Sequence, residues 1–213
     1  YTTLFRLFKD YFYLSLLRIY LNNKDFQKLD QYEGLLSNKK NAAGFYNDYA
    51  WELSGQDLVT PAKDIDFTEK ISKRSLDILA DLQKQAAFPD DLNGSYNMYG
   101  DTYALILYKL NRFEEAFKYQ DRVYQQGGLD TGGKERYAVY MEKVKGLEPA
   151  KKFIEDELSK GTDSRVLLAQ LETIYGKLNL PLDNFKAIKA KSLEAVNANL
   201  KADIVKKYGT TDA

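Results

Sequence analysis

The sequence predicts an all-α protein of stacked antiparallel helical hairpins, about ten helices in all. Three observations carry that expectation. Across 213 residues only four prolines and thirteen glycines interrupt the chain, which favours helix over the many-turned all-β classes. Apolar residues recur at helical spacing through most segments. The stretch Asp101–Val123 also reads as two short helices around a tight turn, with Ala104 on the first and Ala116 on the second. Alanine lets helix backbones approach closely, and one such hairpin cannot bury both of its faces, so it calls for neighbours of its own kind.

Taken in order, the first helix covers about Thr2–Leu21. It is apolar but interrupted by Arg6, Lys9, Asp10 and Arg18, so no uncharged run reaches the ~20 residues of a membrane span. A second helix carries Phe26, Leu29 and Leu36 on one stripe, with Glu33 as its polar flaw. The third, about Asn41–Leu53, contains Phe45, Tyr49, Ala50 and Trp51. After a loop with Gly55 and Pro61, the fourth runs from Asp66 to about Gln85 with Ile71, Ser75, Ile78, Leu79 and Leu82 in register. The central pair spans about Tyr96–Gln126. Its second half shows Phe113, Ala116, Phe117, Gln120, Val123 and Tyr124 on one face, Gln120 being the single polar member. Helices seven (Lys134–Lys145) and eight (Leu147–Lys160) meet at Gly146, with Pro149 in the harmless first turn of the latter. Helix nine spans about Asp163–Lys177, and a long last helix spans Leu182–Tyr208.

The spacing from Tyr103 and Ala104 through Leu107, Tyr108, Asn111 and Ala116 resembles a tetratricopeptide repeat (TPR). Small residues and aromatics fall at that family's positions, and Asn111 replaces its turn glycine. The resemblance implies a TPR-like α-solenoid over 1–208 as a single helical-repeat domain. It also implies that the first helix of each hairpin faces a concave, partner-binding side. Asn47, Trp51, Asp101, Leu105, Tyr108 and Lys109 would then line a common groove for an extended polar peptide. Asn47–Leu53, together with Lys73–Ile78, resembles the helical segment upstream of a thioredoxin-like domain in some bacterial extracytoplasmic thiol–disulfide proteins. That likeness implies a periplasmic or secreted setting, and that 209–213 begins a linker toward a further C-terminal domain.

Composition narrows the chemistry. With 31 basic and 31 acidic residues the formal net charge is zero, so no overall field attracts nucleic acid. The sequence has no Cys and no His, which excludes cysteine nucleophiles, disulfides, Cys/His zinc sites and histidine triads within this chain. Gly128–Lys134 matches the spacing of a phosphate loop, but Glu135 stands where a metal-binding hydroxyl is required. Pro89–Gly94 resembles half a calcium loop, without carboxylates at its end positions. Both read as turn chemistry. The expectation is a non-catalytic protein- or peptide-binding scaffold without a cofactor. The alternatives are the helical part of a thiol–disulfide oxidoreductase whose catalytic domain lies elsewhere, or glycan binding through Trp51 and exposed tyrosines.

Overall fold

The computed structural model describes residues 2–209, with side chains from residue 8 onward. Residues 210–213, most of the expected linker, lie outside the described part. Among the described residues there are ten α-helices, one short 3-10 turn and no strand, which is the all-α class expected. Contacts divide the chain into two compact units, Tyr1–Arg112 and Phe113–Ala213.

The first unit contains α1 (Thr2–Asn22), α2 (Phe26–Gly34), α3 (Lys39–Ser54), α4 (Ile65–Gln85), the 3-10 turn Pro89–Leu92, and α5 (Asn93–Lys109). Helix starts follow side-chain capping, since a helix leaves its first N–H groups without intrahelical partners. Asp25 caps α2 by accepting from the Lys28 N–H, and Asn38 caps α3 through the Lys40 N–H. Asp10 reaches across from α1 to the turn before α3. It accepts from the Ser37 N–H at 3.0 Å and the Ser37 hydroxyl at 2.5 Å. Burial works against its charge, yet these bonds hold its carboxyl below the usual range.

Small residues decide how α3 meets α4. Ala43, Asn47, Ala50 and Ser54 repeat along α3, and Thr68, Ser72 and Ser75 along α4; all are buried. With little side chain between them the backbones pack closely, and this is the most extensive helix pair of the unit. Glu33, the flaw in the α2 stripe, is explained by Arg74 of α4. The guanidinium donates to Glu33 at 2.7 Å and to Asp30 at 2.6 Å, and lies 5.2 Å over the Tyr46 ring.

The second unit contains α6 (Phe113–Gln125), α7 (Thr131–Lys145), α8 (Leu147–Ser159), α9 (Arg165–Lys177) and α10 (Leu182–Tyr208). Its core joins Tyr137, Phe153, Ile154, Leu158, Leu171 and Phe185. Tyr137 stacks between Phe117 and Tyr124 at centroid distances of 5.4 and 5.1 Å, and Phe153 meets it edge-on at 5.0 Å. Gln120 is fully buried because its Nε2 donates to the Gly133 carbonyl at 3.1 Å, tying α6 to α7. Ala104 on α5 and Ala116 on α6 are both fully buried, each in its own unit.

The phosphate-loop look-alike is a capped helix start: the Asp130 carboxylate accepts from the Gly133 N–H at 2.7 Å. The next residue, Lys134, pairs at 2.8 Å with Glu157, which is 1% exposed. Lys160 at 2.6 Å, the Tyr124 hydroxyl at 3.1 Å and the Thr162 hydroxyl at 3.3 Å also reach it. Burial alone would raise the Glu157 pKa, but the two lysines and the phenol outweigh it and bring it to about 2.

Candidate functional site

All six residues singled out by the sequence fall in the first unit, Asn47 and Trp51 on α3 and the other four on α5. Two contacts show how these helices lie. Gly44, near the start of α3, faces Tyr99, near the start of α5: a Cβ placed on Gly44 would sit 3.1 Å from the Tyr99 hydroxyl. At the far ends the Lys109 ammonium donates to the carbonyl of Ser54, 55 residues earlier. Gly44 and Tyr99 have the same separation, so α3 and α5 run parallel in constant register. Helix α4 runs antiparallel to α5. Glu69 near the start of α4 accepts from the Tyr103 hydroxyl at 2.6 Å and from Arg112 at 3.2 Å, while Gln83 near its end donates to Asn93 at 3.4 Å.

The six residues do not form one open groove. Leu105 is completely buried and Asn47 is 2% exposed, so both belong to the helix packing. Trp51, Asp101, Tyr108 and Lys109 are half-buried. Trp51, Asp101 and Tyr108 already have interactions of their own, so they offer partial faces to a ligand. Among the described residues the Asn47 side-chain amide oxygen has no hydrogen-bond partner, a state that costs about 1–3 kcal/mol when a polar group is buried.

Lys109 has a role that local sequence did not show. Its ammonium donates to the carbonyls of both Ser54 and Thr60. Burial lowers its pKa, and the charge of Asp57 opposes that shift. The loop it holds is well built. The Asp57 carboxylate accepts from the Thr60 N–H at 2.6 Å, the Thr60 hydroxyl at 2.8 Å and the Val59 N–H at 2.7 Å, which hold its carboxyl below the usual range. Gly55 turns the chain out of α3 at φ 81°, and a Cβ there would meet the Thr60 carbonyl at 2.6 Å. Lys109 therefore anchors a loop, and the cation expected on the open surface is engaged by backbone oxygens.

At the other end of the bundle, the start of α3 and the end of α4 leave an apolar groove of ≈430 Å³, lined by Lys40, Leu82, Ala86, Phe88 and Leu92. Sequence reasoning missed it because its walls come from two segments far apart in the chain, 38–40 and 82–92. The signal that was available is Phe88, a large apolar residue in a Pro/Asp-rich turn, which is 73% exposed. Among the described residues no group of three or more Asp or Glu is arranged to hold a metal ion, and no helix is long and apolar enough to cross a membrane. No protein-family model, curated protein or solved structure matches this chain.

Proposed function

We propose that this chain is a non-catalytic module that binds a protein or peptide, built from TPR-like helical hairpins. The binding surface is the α3–α5 face of the first unit. The observation that carries this reading is the parallel, constant-register packing of α3 on α5, with α4 antiparallel. Stacked hairpins place successive first helices side by side in this way, and the shared face of those helices is where such stacks take extended ligands. Trp51 and Tyr108 supply rigid aromatic area, which anchors interfaces at low entropic cost. Asp101 supplies polarity beside them. Leu105 and Asn47 support that surface from beneath.

Trp51 is the only tryptophan, so its fluorescence reports on this face alone. Titration with a panel of extended peptides of mixed charge is expected to shift that emission for a subset of them. Tyr108→Ala should weaken those peptides by about 1–2 kcal/mol, as truncating an interface aromatic commonly does, with the helical circular dichroism unchanged. A flat response across the panel would overturn the proposal. A response confined to glycans would replace it with sugar binding.

A further inference from the structure

The second unit carries an unpartnered surface that the α3–α5 reading does not use. From near the middle of α10 to its end, Leu193, Leu200, Ile204 and Tyr208 are 62, 55, 49 and 72% exposed. Their spacing of seven, four and four residues sets them on one stripe of a helix. Toward its start the stripe opens into a groove of ≈360 Å³ between α10 and the first turn of α9, walled by Leu168, Ala190, Leu193 and Val196. Val166, in the first turn of α9, is 52% exposed. The stripe and groove are continuous through Leu193.

Charge decides what fits. Lys186 and Lys189 line the groove, and Lys207 falls on the same arc of α10 near the far end of the stripe. The two carboxylates along this stretch of the helix, Glu194 and Asp203, lie on the flanks, each about 80–100° around the helix from the middle of the stripe. Lys186 also pairs with Asp183 at 2.9 Å, and Asp163 is the carboxylate at the α9 rim. The docking surface is thus apolar along its centre, with Lys186, Lys189 and Lys207 on its own arc of α10 and the carboxylates at its flanks and rim.

We propose that the α9–α10 face binds an acidic amphipathic helix of a partner protein, laid along α10 with a bulky apolar side chain seated in the α9–α10 groove. Three considerations select this occupant. An apolar stripe ending in a concave pocket suits the periodic knobs of a helix, whereas a flat anionic bilayer would leave the pocket unfilled. Lysines along the stripe favour carboxylates on the partner and disfavour a basic one. A second copy pairing through α10 would oppose like charge to like, since α10 holds six lysines against three carboxylates.

The test uses the full chain and two labelled synthetic peptides of roughly 18 residues, about five helical turns. Both carry Leu and Phe at the same i, i+3, i+4, i+7 positions. The remaining positions are mainly Glu in one and mainly Lys in the other. Fluorescence anisotropy should show the acidic peptide binding at least tenfold more tightly than the basic one, with affinity falling as salt is raised. Leu193→Ser with Leu200→Ser should reduce acidic-peptide binding at least tenfold, and so should Lys189→Glu with Lys207→Glu. All four sites are exposed, and unchanged circular dichroism verifies the fold. Equal binding of the two peptides, no binding, or binding unaffected by these variants overturns the proposal. So does preferential binding of vesicles containing phosphatidylserine, or concentration-dependent self-association abolished by the leucine variants. Tyr108→Ala should leave the peptide affinity unchanged, so this test and that of the α3–α5 face fail independently.

Discussion

Glu157 shows how single residues govern this protein. A carboxylate 1% exposed is tolerable because Lys134, Lys160 and the hydroxyls of Tyr124 and Thr162 surround it. Its pKa falls from 4.5 to about 2 on folding. A depressed acid pKa stabilises the native state above the unfolded value and ceases to do so as pH falls through the folded one. Acid titration followed by circular dichroism should therefore show stability lost between about pH 5 and pH 2, with Glu157 contributing about 3 kcal/mol. Glu157→Gln should remove most of that dependence and destabilise the protein at neutral pH, because two lysines would then face each other. Asn47 is the opposite case. Its side-chain amide oxygen has no hydrogen-bond partner among the described residues, so Asn47→Ala, which removes that oxygen without adding bulk between α3 and α4, should cost less than about 1 kcal/mol in chemical denaturation. Ala104 and Ala116 are fully buried, and Ala→Leu at either should cost about 1–3 kcal/mol through overpacking.

Among the elements, the loop between α3 and α4 depends on a distant side chain. Lys109→Met removes the donor shared by Ser54 and Thr60 while keeping the aliphatic stem. Amide hydrogen exchange at residues 55–63 should accelerate at least tenfold, with the α4 amides little changed. Gly55→Ala should loosen the same loop, since its φ of 81° and the nearby Thr60 carbonyl leave no room for a Cβ. Helix number, order and most boundaries were legible in the sequence because period and turn chemistry are local signals. Boundaries slipped where a cap lay outside the apolar pattern: Asp130 starts α7 at Thr131, and a 3-10 turn leads directly into α5 at Asn93. The polar flaws Glu33 and Gln120 were visible as flaws, but their partners, Arg74 and Gly133, lie on other helices. The candidate site was legible only as a set of helix faces. Burial of Asn47 and Leu105 depends on how closely α3, α4 and α5 approach, and the Lys109 anchor spans 55 residues, a distance no local pattern encodes.

At the scale of the whole molecule, both units bury phenols. Burial raises the pKa of Tyr99 in the first unit and of Tyr175 in the second. Tyr175, also hydrogen-bonded to Glu155 at 2.8 Å, is pushed up to about 12. A raised phenol pKa favours the neutral native form, so stability should decline from pH 10, where unfolded tyrosine ionises, toward pH 12. Urea midpoints measured across that interval should fall steadily, and Tyr175→Phe should flatten part of the slope.

Each unit is also assembled almost wholly from neighbours in sequence. In the first, α1 packs on α2, α3 on α4, and α4 on α5; in the second, α6, α7, α8 and α9 each pack on the next helix. The longer reaches, such as α3 to α5, α7 to α9 and α8 to α10, skip one helix. Such low contact order means that little loop entropy is lost before native contacts form. Refolding is therefore expected on the microsecond-to-millisecond scale of helical bundles. As the nascent chain emerges, each helix after the first of its unit can dock on one already made, so each unit's core can grow in the order of synthesis without waiting for a distant partner.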